Sequence, residues 1–212
     1  MKTLYESLLE SLLDTNADSI LKSIERWCKK NIKGNYEIDE KTLTINSSDT
    51  IKIINKKLVE FPSYIHFGTV RGDFICRNCT SLTSLEGAPE KVGGSFYCTS
   101  CTSLKSLVGA PKEVGEIFNC GLCTSLTSLE GAPEKVGGDF NCGGCRSLKS
   151  LVGAPKEVRG NFACHECALT TLEGAPEKVG GAFGCSECGS LKSLVGAPKE
   201  VGDSFWCHGC NA

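Results

Sequence analysis

A pair of cysteines three residues apart recurs seven times in this chain: Cys76/Cys79, Cys98/Cys101, Cys120/Cys123, Cys142/Cys145, Cys164/Cys167, Cys185/Cys188 and Cys207/Cys210. Successive first cysteines are 22 residues apart, or 21 between Cys164 and Cys185, where one residue is missing after Cys167. A fixed period in the range of ~20–29 residues, with leucines at set offsets, is the signature of a solenoid. Each copy is one coil that cannot bury its apolar side alone and must stack on its neighbours.

The unit reads roughly V-G-x-x-F-x-C-x-x-C-x-S-L-x-S-L-x-G-A-P-x-x. Phe96 and Cys98 alternate as a short strand does. Gly109, Ala110 and Pro111 punctuate the return path, and Gly94 or Gly138 permits a tight corner. The expected fold class is mainly β: a right-handed β-solenoid of 22-residue coils whose strands form a parallel ladder spaced ~4.8 Å.

The copies also alternate in pairs. One position runs Glu90, Lys112, Glu134, Lys156, Glu177, Lys199, and its neighbour runs Lys91, Glu113, Lys135, Glu157, Lys178, Glu200. Stacked at rung spacing, opposite signs attract by a few tenths to ~1 kcal/mol per pair. A slip by one rung would set like charges on each other, so the pattern specifies register as well as a solvated face.

Residues 1–50 read as a helical and hairpin cap, and residues 51–212 as a solenoid of about eight coils, seven carrying C-x-x-C. Two amphipathic helices are expected, over 3–14 and about 17–33. Leu4, Leu8 and Leu12, then Ile20, Ile24 and Trp27, supply the apolar stripes; Asn16 or Asp18 caps, and Gly34 ends the second helix. "YEIDEKTLTI" reads as a hairpin turning near Asp39 and Glu40. "IKIINKKLVEFP" reads as a first rung with Ile51 and Ile53 inward and Asn55 where later rungs have their second cysteine. Cys28, beside Trp27, is a core residue.

F-x-C-x-x-C-x-S-L-x-S-L resembles leucine-rich repeats, with the second cysteine at the position they fill with Asn or Cys. The wording "CTSLTSL" resembles BspA-like repeats of bacteria and some protists, and "LTSLEGAP" resembles repeats in proteins of gut bacteria and their phages. The likeness covers about residues 51–210. It implies the solenoid fold and, by analogy with BspA-like proteins, a binding role. It offers a reason for one cysteine column, where this chain has two.

Fifteen cysteines in 212 residues, in a chain that begins without a secretory signal, point to a cytoplasmic protein with reduced thiols, and so to metal ligation or redox chemistry before disulfides. A net charge of −2 offers no electrostatic footprint for nucleic acid, and no apolar run is long enough for a membrane. No nucleophile elbow, P-loop, H-E-x-x-H or dinucleotide fingerprint is present, so an enzyme is not expected.

Two readings of the thiols stand. In the first, all fourteen paired cysteines are metal ligands. C-x-x-C pairs from adjacent rungs would supply four thiolates, holding iron–sulfur clusters in a row, or zinc, for electron transfer or storage. Residues between the cysteines scatter while the cysteines hold, which favours this. Six pairs then make three sites, and Cys207/Cys210 at the uncapped C-terminal end would meet a second copy as a homodimer. In the second, both columns are small buried apolar residues of a metal-free protein-interaction scaffold.

Overall fold

A computed structural model describes residues 4–212, with side chains from Asn16 onward. The chain opens on a single helix, Leu4–Asn31, where two were expected. Asp14 to Asp18 contains no glycine or proline, and poor helix formers cost only a few tenths of a kcal/mol each, so the helix runs through. Its end at Asn31 precedes Gly34. Asn31 closes it with Nδ2 donating to the Trp27 carbonyl at 2.7 Å. The inward face presents Ile24, Trp27 and Cys28, all buried, with Ile20 packed against them. Leu4, Leu8 and Leu12 lie outside the residues whose side chains are described.

Two nine-stranded sheets carry the rest. The first begins with Ile32–Lys33, antiparallel to Ile51–Ile53. It then climbs in parallel through Phe74–Ile75, Phe96–Tyr97 and the equivalent pairs to Phe205–Trp206. The second begins with the hairpin Glu37–Asp39 and Thr44–Ser47, then rises in parallel through Phe67–Val70, Lys91–Val92 and onward to Glu200–Val201. The architecture is a mainly β, parallel-ladder solenoid of about seven coils behind one N-terminal helix. The Asp39 carboxylate accepts the Lys41 and Thr42 amides at the hairpin turn, and Ile51 and Ile53 are buried as the first rung requires.

Inside, each repeated apolar letter becomes a column. Phe74, Phe96, Phe118, Phe140, Phe162, Phe183 and Phe205 stack with ring centroids 5.1–5.5 Å apart and planes within 22°. Leucines at two offsets and one valine per coil form parallel columns, most of them fully buried. The alternating charges meet in part: Glu113 bridges Lys91 at 3.0 Å and Lys135 at 3.1 Å, Glu200 meets Lys178 at 3.2 Å and Glu177 meets Lys199 at 2.7 Å, while among the described residues the other stacked neighbours do not form ion pairs. These pairs are exposed, so they contribute register more than stability.

The tight corners differ from expectation. Gly94 and Gly138 do not adopt positive φ; within the cysteine-bearing coils the left-handed residues are the glycine of each G-A-P and the residue before each second cysteine. Gly131 has φ +86°, and a Cβ there would lie 2.5 Å from the Val108 amide nitrogen. Gly144, before Cys145, has φ +72° and would meet only the flexible end of Leu122. Replacing Gly131 by alanine should destabilise the fold by about 2–3 kcal/mol through strain and backbone collision. Gly144→Ala should cost less than about 1 kcal/mol, since Leu122 and Ser100 hold this conformation elsewhere. Chemical denaturation of both variants checks the contrast.

Candidate functional site

The two cysteine columns are the most chemically distinctive feature, and the turn between them sets their geometry. The first cysteine of each pair follows the phenylalanine strand. The chain then turns through a residue in left-handed conformation: Asn78, Ser100, Leu122, Gly144, Glu166, Glu187 or Gly209, with φ from 55° to 72°. This repeated conformation was missed in the sequence; its only trace is that three of the seven positions hold Asn or Gly, which tolerate it. The turn aims both side chains inward. Thirteen of the fifteen cysteines are buried, and Cys207 and Cys210 are partly exposed.

The two columns do different work. Each second-column sulfur donates to the backbone carbonyl of the first-column cysteine one rung back: Cys101 to Cys76, Cys123 to Cys98, Cys145 to Cys120, Cys167 to Cys142, Cys188 to Cys164 and Cys210 to Cys185, at 3.1–3.3 Å. Cys79 at the start of the column reaches the Asn55 carbonyl at 3.8 Å. Asn55 stands in this column one rung earlier: its carbonyl accepts the Leu58 amide as that of Cys79 accepts Leu82, and its side chain donates to Asn31. In the first column, Cys76 and Cys120 donate to the Tyr97 and Asn141 carbonyls at 3.4 and 3.5 Å.

The thiols also act on one another diagonally, Cys98 with Cys123, Cys120 with Cys145, Cys142 with Cys167 and Cys185 with Cys210, and Cys101 with Cys76 and Cys79. The neighbouring second-column thiol first, and burial second, hold Cys98, Cys120 and Cys142 well above the ordinary thiol range. Burial alone leads for Cys164, for Cys185, pushed up to about 12, and for Cys188, pushed up to about 11. Cys123 and Cys167 are shifted down by the thiols of Cys98 and Cys142. In each such pair the first-column sulfur keeps its proton.

Among the described residues, no group of three or more His, Cys, Asp or Glu side chains is gathered so as to hold a metal ion. Of the histidines between cysteines, His165 lies over Gly143, and His208 Nδ1 is 2.9 Å from the Ser186 hydroxyl. No described helix is long and apolar enough to cross a membrane.

Replacing Cys123 separates its hydrogen bond from its volume. Cys123→Ser keeps a donor for the Cys98 carbonyl, whereas Cys123→Ala leaves that buried acceptor with only the Cys101 amide at 3.4 Å. Alanine should be the more destabilising by about 1 kcal/mol, read as the difference between two urea midpoints.

No family model, no curated protein and no solved structure matches this chain.

Proposed function

We propose that the protein is a metal-free interaction scaffold whose thiol columns belong to the frame and whose outer faces meet a partner. The observation that carries this reading is the second-column ladder: a sulfur that donates to a buried carbonyl in every cysteine-bearing rung has a structural task that explains why it does not vary. Side chains facing outward between the constant inward ones do vary. Along the phenylalanine sheet these positions run Ile75, Tyr97, Asn119, Asn141, Ala163, Gly184 and Trp206. Repeat solenoids use such a varied surface on a constant frame for recognition.

A second reading has one specific observation in its favour. The sulfur columns face each other across adjacent rungs rather than diverging, so thiolate coordination, as iron–sulfur clusters or zinc, would need small side-chain movements and deprotonation. Anaerobic purification followed by elemental analysis and a visible spectrum separates the two. The scaffold reading expects colourless protein with no stoichiometric metal, fifteen titratable thiols in denaturant and a circular dichroism spectrum unchanged by chelator. Brown protein with iron and acid-labile sulfide, or bound zinc whose removal unfolds it, overturns it.

A further inference from the structure

The outer face of the valine sheet holds a groove of about 700 Å³ that the cysteine columns do not touch. Its floor is Gly93, Gly115 and Gly137, each following an inward valine. Their amides are committed to the ladder, donating to the carbonyls of Val70, Val92 and Val114 at 2.8–2.9 Å. A Cβ on any of the three would strike the carbonyl oxygen one rung back, so the floor is bare backbone. One wall is the charged column, in which Glu113 bridges both Lys91 and Lys135 and leaves the three with one net positive charge.

The same register position holds arginine at the two ends of this floor, Arg71 and Arg159, and both line the groove. Both are exposed. Among the described residues, neither guanidinium forms an ion pair, in contrast to Lys91 and Lys135 between them; Glu134, Lys156 and Glu157 line the groove unpaired, so its five cations outnumber its three carboxylates. The two lie four rungs apart, about 19 Å at ~4.8 Å per rung. A trough with a flat, self-satisfied floor thus ends at each side in an unneutralised planar cation.

We propose that this groove binds an extended acidic segment of a partner protein, its backbone lying over the glycine floor along the solenoid axis with a carboxylate on each guanidinium. An extended chain advances ~3.3 Å per residue, so about six residues span the two arginines. The intervening residues must be small, because the floor leaves no pocket for side chains. Arginine suits the ends because its fork takes a carboxylate through two parallel hydrogen bonds. This assignment rests on the scaffold reading and names its partner class and surface.

The test uses a fluorescently labelled peptide with glutamate pairs separated by five glycine or serine residues, titrated with the full chain at low salt. Arg71→Gly and Arg159→Gly restore the residue that most coils carry at this position, so the fold should tolerate both. Each should weaken binding at least tenfold, while Lys178→Ala, outside the groove, should change it less than twofold. A peptide with the acidic pairs only one residue apart should bind at least tenfold more weakly than the parent. No binding, or binding indifferent to spacing and to both arginines, overturns the groove assignment. Those outcomes with metal-free, fully thiol-titratable protein leave the scaffold reading standing, whereas bound metal removes that reading whatever the peptide does.

Discussion

Phe118→Ala should destabilise the solenoid by about 3–5 kcal/mol, the range for deleting a fully buried aromatic ring. Phe118 has no exposed surface and is stacked on both sides, 5.4 Å from Phe96 and 5.2 Å from Phe140. Its loss leaves a cavity at mid-stack and removes two ring contacts worth about 0.5–1.5 kcal/mol each, partly counted in that total. In a stack where each coil touches only its neighbours, a weakened interface also uncouples the coils on either side. Urea unfolding should therefore broaden or split into two steps. Phe205→Ala is the control: that ring is 38 % exposed and has one stacking neighbour, so its loss should cost below about 2 kcal/mol. Equal costs at the two positions would show that the phenylalanine column is not the continuous core described here.

Alkali should unfold the protein steeply, and the sign follows from the buried thiols. Cys28 and Cys185, pushed up to about 12, and Cys188, pushed up to about 11, all by burial first, stay protonated in the folded chain. In the unfolded chain the same thiols ionise near the ordinary value of 9.0. Below pH 9 they are protonated in both states and their stabilising contribution is whole. Between pH 9 and 11 the unfolded state binds fewer protons, so stability falls by about 1.4 kcal/mol per pH unit for each thiol. Three thiols give about 4 kcal/mol per unit, and the raised Cys98, Cys120, Cys142 and Cys164 steepen the slope. Cys123 and Cys167, shifted the other way, are ionised in both states above pH 9 and add nothing there. Urea midpoints measured from pH 7 to 11 should not fall before about pH 9, where the lowered Cys123 and Cys167 favour the folded chain as pH rises, and should then drop; no drop by pH 11 would contradict the burial of the columns.

The solenoid was legible because its evidence is repetition. Phenylalanine, two cysteines, two leucines and a valine recur at fixed offsets, and each offset becomes one buried column. The phase of Glu and Lys was legible for the same reason, and the ladder pairs Lys91 with Glu113 and Lys178 with Glu200 across adjacent rungs. The N-terminal helix was harder, because Asn16 and Asp18 are both good caps and acceptable interior residues, and only tertiary packing of Ile24, Trp27 and Cys28 decides. The left-handed turn inside each C-x-x-C was hidden because Leu122, Glu166 and Glu187 occupy it without glycine. Spacing placed the sulfurs on adjacent rungs. It could not say that the second of each pair reaches down to a backbone carbonyl, since that depends on the turn.

The central claim is that the cysteine columns are protonated, metal-free parts of the buried frame, and native-state thiol reactivity at neutral pH tests it most directly. With a chromogenic disulfide reagent in excess, two thiols, Cys207 and Cys210, should react rapidly. The other thirteen should follow only at the rate of unfolding, with all fifteen accounted for in denaturant. Rapid reaction of thiols throughout the stack, or a shortfall in denaturant made good only after metal is stripped away, would contradict the account.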